Sequence, residues 1–195
     1  MAKTHATPAT IASIAKVLQD TAQTKNVDFT LNRIRVTPVF IAEVGKAISA
    51  GKIKVVLDPS IGHDIVYNVK LNELQLKIPL TTALLTRALL VHESVHAIND
   101  MRKLGKTPNA DDETVAFVAQ AIYLRTNHPN KSQRLLDPNP AVDLLFEKAF
   151  IAADAIIAKQ NAVTVNAAMA GVATALKAVP HYKKTINMSA LHDGI

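Results

Sequence analysis

His92, Glu93 and His96 form an H-E-x-x-H run inside an otherwise apolar stretch from Leu84 to Ile98. On an α-helix, positions i and i+4 lie one above the other on the same face. Two imidazoles placed there can close on one tetrahedral Zn2+ at about 2.0–2.1 Å from each nitrogen. Glu93, rotated off the ligand line, can take a proton from a water on the metal. The alternative is an ordinary buried helix that happens to carry these residues. Chance supplies the pattern in a chain of this size only about once in a hundred. Burying it among Leu90, Val91, Val95 and Ile98 without partners would also be costly. The spacing therefore predicts a metal-bearing helix.

A catalytic zinc needs a third protein ligand and an open position for water. The chain has no cysteine, which removes thiolate ligands, thiol nucleophiles and disulfides. A metzincin continuation would place Gly at 99 and His at 102; Asn99 and Arg102 exclude it. A carboxylate from the next predicted helix is the other solution. Glu113 stands at the start of that helix, 17 residues after His96, and Ala116, Phe117 and Gln120 continue its face. Asp111 and Asp112 stay open as alternatives, since all three acids would also complement the helix dipole.

The elements that must carry these residues follow from periodicity. Pro8 to about Gln23 is helical, with Thr7 as a cap, and 27–36 alternates imperfectly as one strand. Pro38 to Ala50 is helical, with Gly51 just past its end. Alternation at 53–57, 65–69 and 74–78 predicts two or three short antiparallel strands. The motif helix follows from Thr81 to about Leu104, between Pro79 and the pair Gly105 and Pro108. Further helices are expected at Asp111–Thr126, broken at His128-Pro129-Asn130, then at Pro140–Lys159 and Ala162–Lys177, with a tail after Pro180.

A chain of 195 residues, 49% hydrophobic, suits one domain, and 4% aromatic content without Trp makes the core aliphatic. The net charge of +6 is spread along the chain, with a small cluster at Lys183-Lys184. Without interleaved aromatic residues it reads as solvated surface, so no nucleic-acid partner is expected. The N-terminal region lacks a charged start followed by an apolar run, so no signal peptide is expected. Ala162–Val179 is interrupted by Asn166 and Lys177, so no membrane span is expected either. A cytoplasmic location and signal-independent export both fit. Oligomeric state is open.

With these residues the sequence resembles the gluzincin metallopeptidases, the thermolysin-like class. The likeness rests on His92–His96, the extension Ala97-Ile98-Asn99-Asp100, Glu113 and the preceding strands, within residues 53–126. It implies Zn2+ held by His92, His96 and Glu113, with Glu93 as general base. It also implies a peptide or protein substrate bound in extended form on an edge strand. The implied fold is α+β: a small antiparallel sheet packed on a mostly helical zincin-like domain. That single domain would span 1–195, with a core at about 27–126 and a C-terminal helical extension at about 138–179. The family's large substrate lobes have no room here, so the chain resembles a minimal form, as in small bacterial peptidases and secreted effector toxins.

The resemblance has departures. Where the family often has an aspartate four residues after the glutamate ligand, this chain has Phe117, so Asp100, Asp112 or a main-chain carbonyl must orient the histidines. Tyr123, His181 and Tyr182 are candidate oxyanion donors; Tyr123 is about 15 Å along the helix from Glu113. His63 and His128 are read as exposed, His5 and His192 lie near the termini, and Tyr67 and Phe29 are read as core. Ala167, Ala168, Ala170, Gly171 and Ala173 would let a helix approach closely, from within the chain or from a second copy. Two other functions fit the same residues: a zinc amidase on a non-peptide substrate, and a non-enzymatic binding protein with a basic surface.

Overall fold

Side-chain caps and prolines set where most of the helices begin. After a short strand β1 (Thr4–His5), the Thr7 hydroxyl accepts the Thr10 N–H at 3.2 Å and α1 runs over Pro8–Gln19. Asp20, with a non-helical ψ of 85°, ends α1 and caps the one-turn α2 (Thr21–Thr24) through the Ala22 and Gln23 N–H groups. The helix expected to reach Gln23 is therefore two. The single strand expected at 27–36 is a hairpin, β2 (Phe29–Leu31) and β3 (Ile34–Val36). Asn32, at φ 52°, makes the turn that imperfect alternation concealed. Thr37 then caps α3 (Pro38–Ser49) through the Phe40 N–H.

Three strands follow, β4 (Lys54–Leu57), β5 (Ile65–Asn68) and β6 (Glu73–Leu76), and the sheet order is β1-β4-β6-β5. β5 and β6 are antiparallel, but β4 and β6 are parallel. The all-antiparallel expectation fails because β5 takes the outer position and returns β6 alongside β4. The Lys77 N–H donates to the Asp64 carbonyl at 2.9 Å, which makes Asp64, Val66 and Asn68 the hydrogen-bonded positions of the β5–β6 ladder. Ile65 and Tyr67 consequently turn their backbone N–H and C=O groups outward along a free edge.

That edge faces α4 (Leu84–Met101), the motif helix, which begins three residues later and ends three residues earlier than its apolar pattern predicts. Lys103 adopts φ 52° and stops it. Gly105–Pro108 forms β7, and α5 (Asn109–Asn127) runs back along α4. From Ala88 to Asp100 nearly every residue of α4 is buried, as is Thr114 to Leu124 of α5. A helix covered on every side shows no single apolar stripe. These two helices are the centre of the molecule.

Outside them, α6 (Pro140–Ile157) and α7 (Ala162–Leu176), capped by Asn139 and Asn161, pack on α5. Ala168 and Gly171 of α7 are half-buried, with Gly171 beside Lys148 of α6, so part of the small-residue stripe serves internal packing. The chain after Pro180 is not a loose tail. It winds through turns that bury Ile186, then forms β8 (Ser189–His192), antiparallel to β7. The structure describes residues 2–128, 130 and 137–195 of this computed structural model. Pro129, one of the residues expected to break α5, lies outside them. Among the described residues no helix is long and apolar enough to cross a membrane.

On the far side of α4, α1 and α3 cross closely at Gly45, where an added Cβ would stand 2.9 Å from the Ala15 carbonyl oxygen. A backbone atom has nowhere to move, so Gly45→Ala should lower stability by about 1–2 kcal/mol despite Ala's higher helix propensity. The measurement is the thermal unfolding midpoint, expected to fall by about 3–6 °C.

Candidate metal centre

α4 and α5 are antiparallel, and polar pairs between them follow that direction: Asn99 with Asp112, His96 with Asp112, His92 with Gln120. His92 and His96, one turn apart, present their rings to the first turns of α5. The His92 Nδ1–H donates to Gln120 Oε1 at 3.2 Å, and His96 Nδ1 lies 3.0 Å from Asp112 Oδ2. A proton held at Nδ1 leaves the Nε2 lone pair free as a ligand. Both Nε2 atoms turn to one carboxylate. His92 Nε2 lies 3.5 Å from Glu113 Oε2, and His96 Nε2 lies 3.9 Å from Glu113 Oε1.

The donors suit a divalent cation. One ligand atom from each of His92, His96 and Glu113 lies within 4.8 Å of the others. Ligands around a tetrahedral zinc sit about 3.3–3.4 Å apart, so the spacing is of the right order. Glu113 Oε2 is buried and accepts no hydrogen bond, and an orphaned carboxylate oxygen between two imidazoles is what a cation satisfies.

Electrostatics agree with that demand. Burial works to raise the Glu113 pKa, but the neighbouring His92 and His96 outweigh it and hold the carboxyl below its ordinary range. For His96, burial favours the neutral ring, yet Asp112, and then Glu113 and Glu93, raise its pKa to about 10. Burial would likewise raise Asp112, and His96 with His192 overturns this strongly downward. Carboxylates packed this tightly need positive charge beside them.

The three acids at the start of α5 separate cleanly. Asp111 Oδ2 accepts from Asn32 Nδ2 at 2.8 Å, on the outer side. Asp112 lies behind His96 and takes Asn99 Nδ2 at 2.6 Å on its other oxygen. Glu113 alone meets both Nε2 atoms. Of the expected orienting groups, Asp112 holds a histidine. Asp100 does not: it accepts the Tyr67 hydroxyl at 2.9 Å and the Gly194 N–H at 3.1 Å. Phe117 packs edge-on to His92, with ring centroids 4.6 Å apart, and Gln120, one turn further, makes the polar contact. Gln120 was visible at i+7 from Glu113, a position that marks it as sharing that face.

Glu93 is 7% exposed and lies near enough to His92 and His96 to feel their charge, held at the sheet edge where the Tyr67 N–H donates to Oε2 at 2.7 Å. Burial raises its pKa, and the charge of His92 and His96 and the Tyr67 bond only partly oppose this. Tyr67 is thus core by its side chain, as is Phe29, while its backbone touches the motif carboxylate.

The site opens into a cleft of about 870 Å³. One wall is Ile65–Tyr67 with Leu85 and Leu89, and the other is Phe117, Phe146, Val179 and Tyr182. Tyr182 is half-buried beside Glu113 and Glu93, and both burial and those charges push its pKa up, so the hydroxyl keeps its proton. Tyr123 is a core residue that donates to Gln23 Oε1 at 2.6 Å, away from the cleft. His63 is exposed and stacks edge-on with His181 at the rim, centroids 4.5 Å apart, while His128 is half-buried and bonded within its own turn. His192, dismissed by position as a terminal residue, is fully buried with Nε2 3.3 Å from Asp112 Oδ2.

The chain matches no protein-family model, no curated protein and no solved structure. Asp112→Asn should weaken the binding of a divalent cation such as added zinc to this group about 10–100-fold, because His96 loses the acceptor that aims it. Asp111→Asn, which touches only Asn32, should leave it unchanged. Competition titration against a chromophoric chelator measures both.

Proposed function

We propose that this protein is a zinc-dependent hydrolase of the minimal thermolysin-like type, cutting peptide bonds with a water activated by Glu93. The observation that carries the reading is the convergence of the His92 and His96 Nε2 atoms on Glu113, with buried Glu93 alongside, at the floor of an open cleft. Zinc, when bound, lowers the pKa of water towards about 7 and polarises a carbonyl oxygen. His92, His96 and Glu113 would hold it.

The protein's own groups account for the rest of the chemistry. Glu93 accepts a proton from the attacking water and returns it to the leaving amine. A raised pKa favours both halves of that cycle, since the carboxyl must hold the proton between them. Tyr182 keeps its hydroxyl protonated beside the site, and donates it to the oxyanion that develops on the substrate carbonyl. An extended segment suits the cleft because, among the described residues, the outward N–H and C=O groups of Ile65 and the C=O of Tyr67 have no strand beyond them. That feature favours a peptide over a compact amide, whose hydrolysis would use the same groups.

The purified chain should carry one equivalent of zinc by mass spectrometry of the metal. Glu93→Gln should keep both zinc and fold and lose peptide hydrolysis by about 10²-fold or more; undiminished activity would remove Glu93 as the base. Glu113→Ala should lose the metal itself. Tyr182→Phe should lower kcat about 10²–10³-fold with little change in KM, the signature of a donor used only in the transition state.

A further inference from the structure

The C-terminal segment reaches the centre of the molecule beside the cleft, which His181, Tyr182 and Ala190 help to line. β8 pairs with β7 in the register Gly105↔His192 through Pro108↔Ser189, and β7 leads directly into α5. The start of α5 is held by the same segment: the Asn109 N–H donates to the Met188 carbonyl at 3.0 Å, and Asn109 Nδ2 donates to the Thr185 carbonyl at 2.9 Å. Asp112 and Glu113 stand in the turn so clamped. At the other end, the Gly194 N–H donates to Asp100 of α4. The segment therefore touches both helices that carry the proposed ligands.

His192 is the residue of this strap that enters the interior. Its side chain is 0% exposed, and neither ring nitrogen makes a hydrogen bond of good geometry. The polar atom it meets is Asp112 Oδ2, at 3.3 Å, the same oxygen that faces His96 Nδ1 at 3.0 Å. Asn99 occupies Oδ1. The Asp112 carboxylate is thus fixed from three directions, by α4 twice and by β8 once. His192 is not itself placed as a ligand, because the carboxylate stands between it and the group formed by His92, His96 and Glu113. A buried imidazole with no other partner is costly, and what offsets that cost is the contact with Asp112.

We infer that His192 is a positioning residue of the metal centre: from the C-terminal strand it fixes Asp112, Asp112 aims His96, and metal loading is thereby coupled to docking of β8. The inference rests on the reading of His92, His96 and Glu113 as a zinc site. It makes the end of the chain part of that site, although it lies 79 residues beyond Glu113. Coupling of this kind is reciprocal, so zinc must stabilise the docked strand as much as the docked strand favours zinc.

The test uses the full chain and zinc or Co2+ alone. His192→Ala should weaken zinc binding about tenfold, and His192→Gln, whose amide N–H can reach the same carboxylate, should recover most of that loss. Leu191→Ala, on the exposed face of β8, should bind as the native chain does. In the Co2+ form, His192→Ala should shift the visible d–d bands, which a general loss of stability would leave alone. On the native chain, with no substitution, zinc should slow amide hydrogen exchange across Ser189–His192 by a similar factor; this arm decides the matter if His192→Ala does not fold. Native zinc affinity and native Co2+ bands in His192→Ala, or β8 exchange indifferent to zinc, overturn the inference and leave the zinc reading intact. A native chain that binds no zinc overturns both.

Discussion

The Asp112 carboxylate is the contact on which the centre of this protein turns. It lies between two helices buried on all sides and meets Asn99 and His96 of one and His192 of the C-terminal strand. A carboxylate in such surroundings is tolerable only when paired and hydrogen-bonded, and removing one partner of a buried pair typically costs about 3–5 kcal/mol. The register of α4 against α5 follows from that demand.

Once that register is set, the remaining geometry follows. Gln120, two turns along α5, comes opposite His92, and Glu113 falls where both outward ring nitrogens point. Glu93, one position on from His92, is held against the backbone of the sheet edge while still lining the same cleft. The proposed ligands and the motif carboxylate are thus held by different partners, one by α5 and one by β5. The cleft opens along the seam between those two supports.

Concentrating Glu93, Asp112, Glu113 and three histidines in the interior is poor for stability, and the surrounding structure carries that burden. α1 and α3 brace α4 on one side through the close approach at Gly45, and α6 and α7 cover α5 on the other. Their cores are aliphatic and small, with Ala149, Ala152 and Ala153 fully buried, which lets helices approach closely around a polar middle. Sites held in arrangements that burial alone would not favour are those most often used for chemistry.

Much of this was legible in the amino-acid order because it depends on neighbours a few residues apart. Thr7, read as a cap, bonds a residue three positions on, and Thr37, Asn139 and Asn161, which were not read as caps, do the same work locally; His92 and His96 share a face because a helix repeats every 3.6 residues. Glu113 was distinguishable from Asp111 and Asp112 by the face it shares with Ala116 and Gln120. The hairpin turn at Asn32 escaped because imperfect alternation hid it; the parallel pairing of β4 with β6 and the ordered segment after Pro180 escaped because they depend on separation. The sequence by itself determined an α+β chain with a helical H-E-x-x-H and a nearby acid. Only the tertiary structure decided that Asp112 would orient His96, that Tyr67 would meet Glu93 through its backbone, and that Tyr182 and His192 would return to the centre. Local periodicity encodes which face a residue occupies, whereas contacts across a hundred residues are chosen by the packing of whole elements, which no short window of sequence contains.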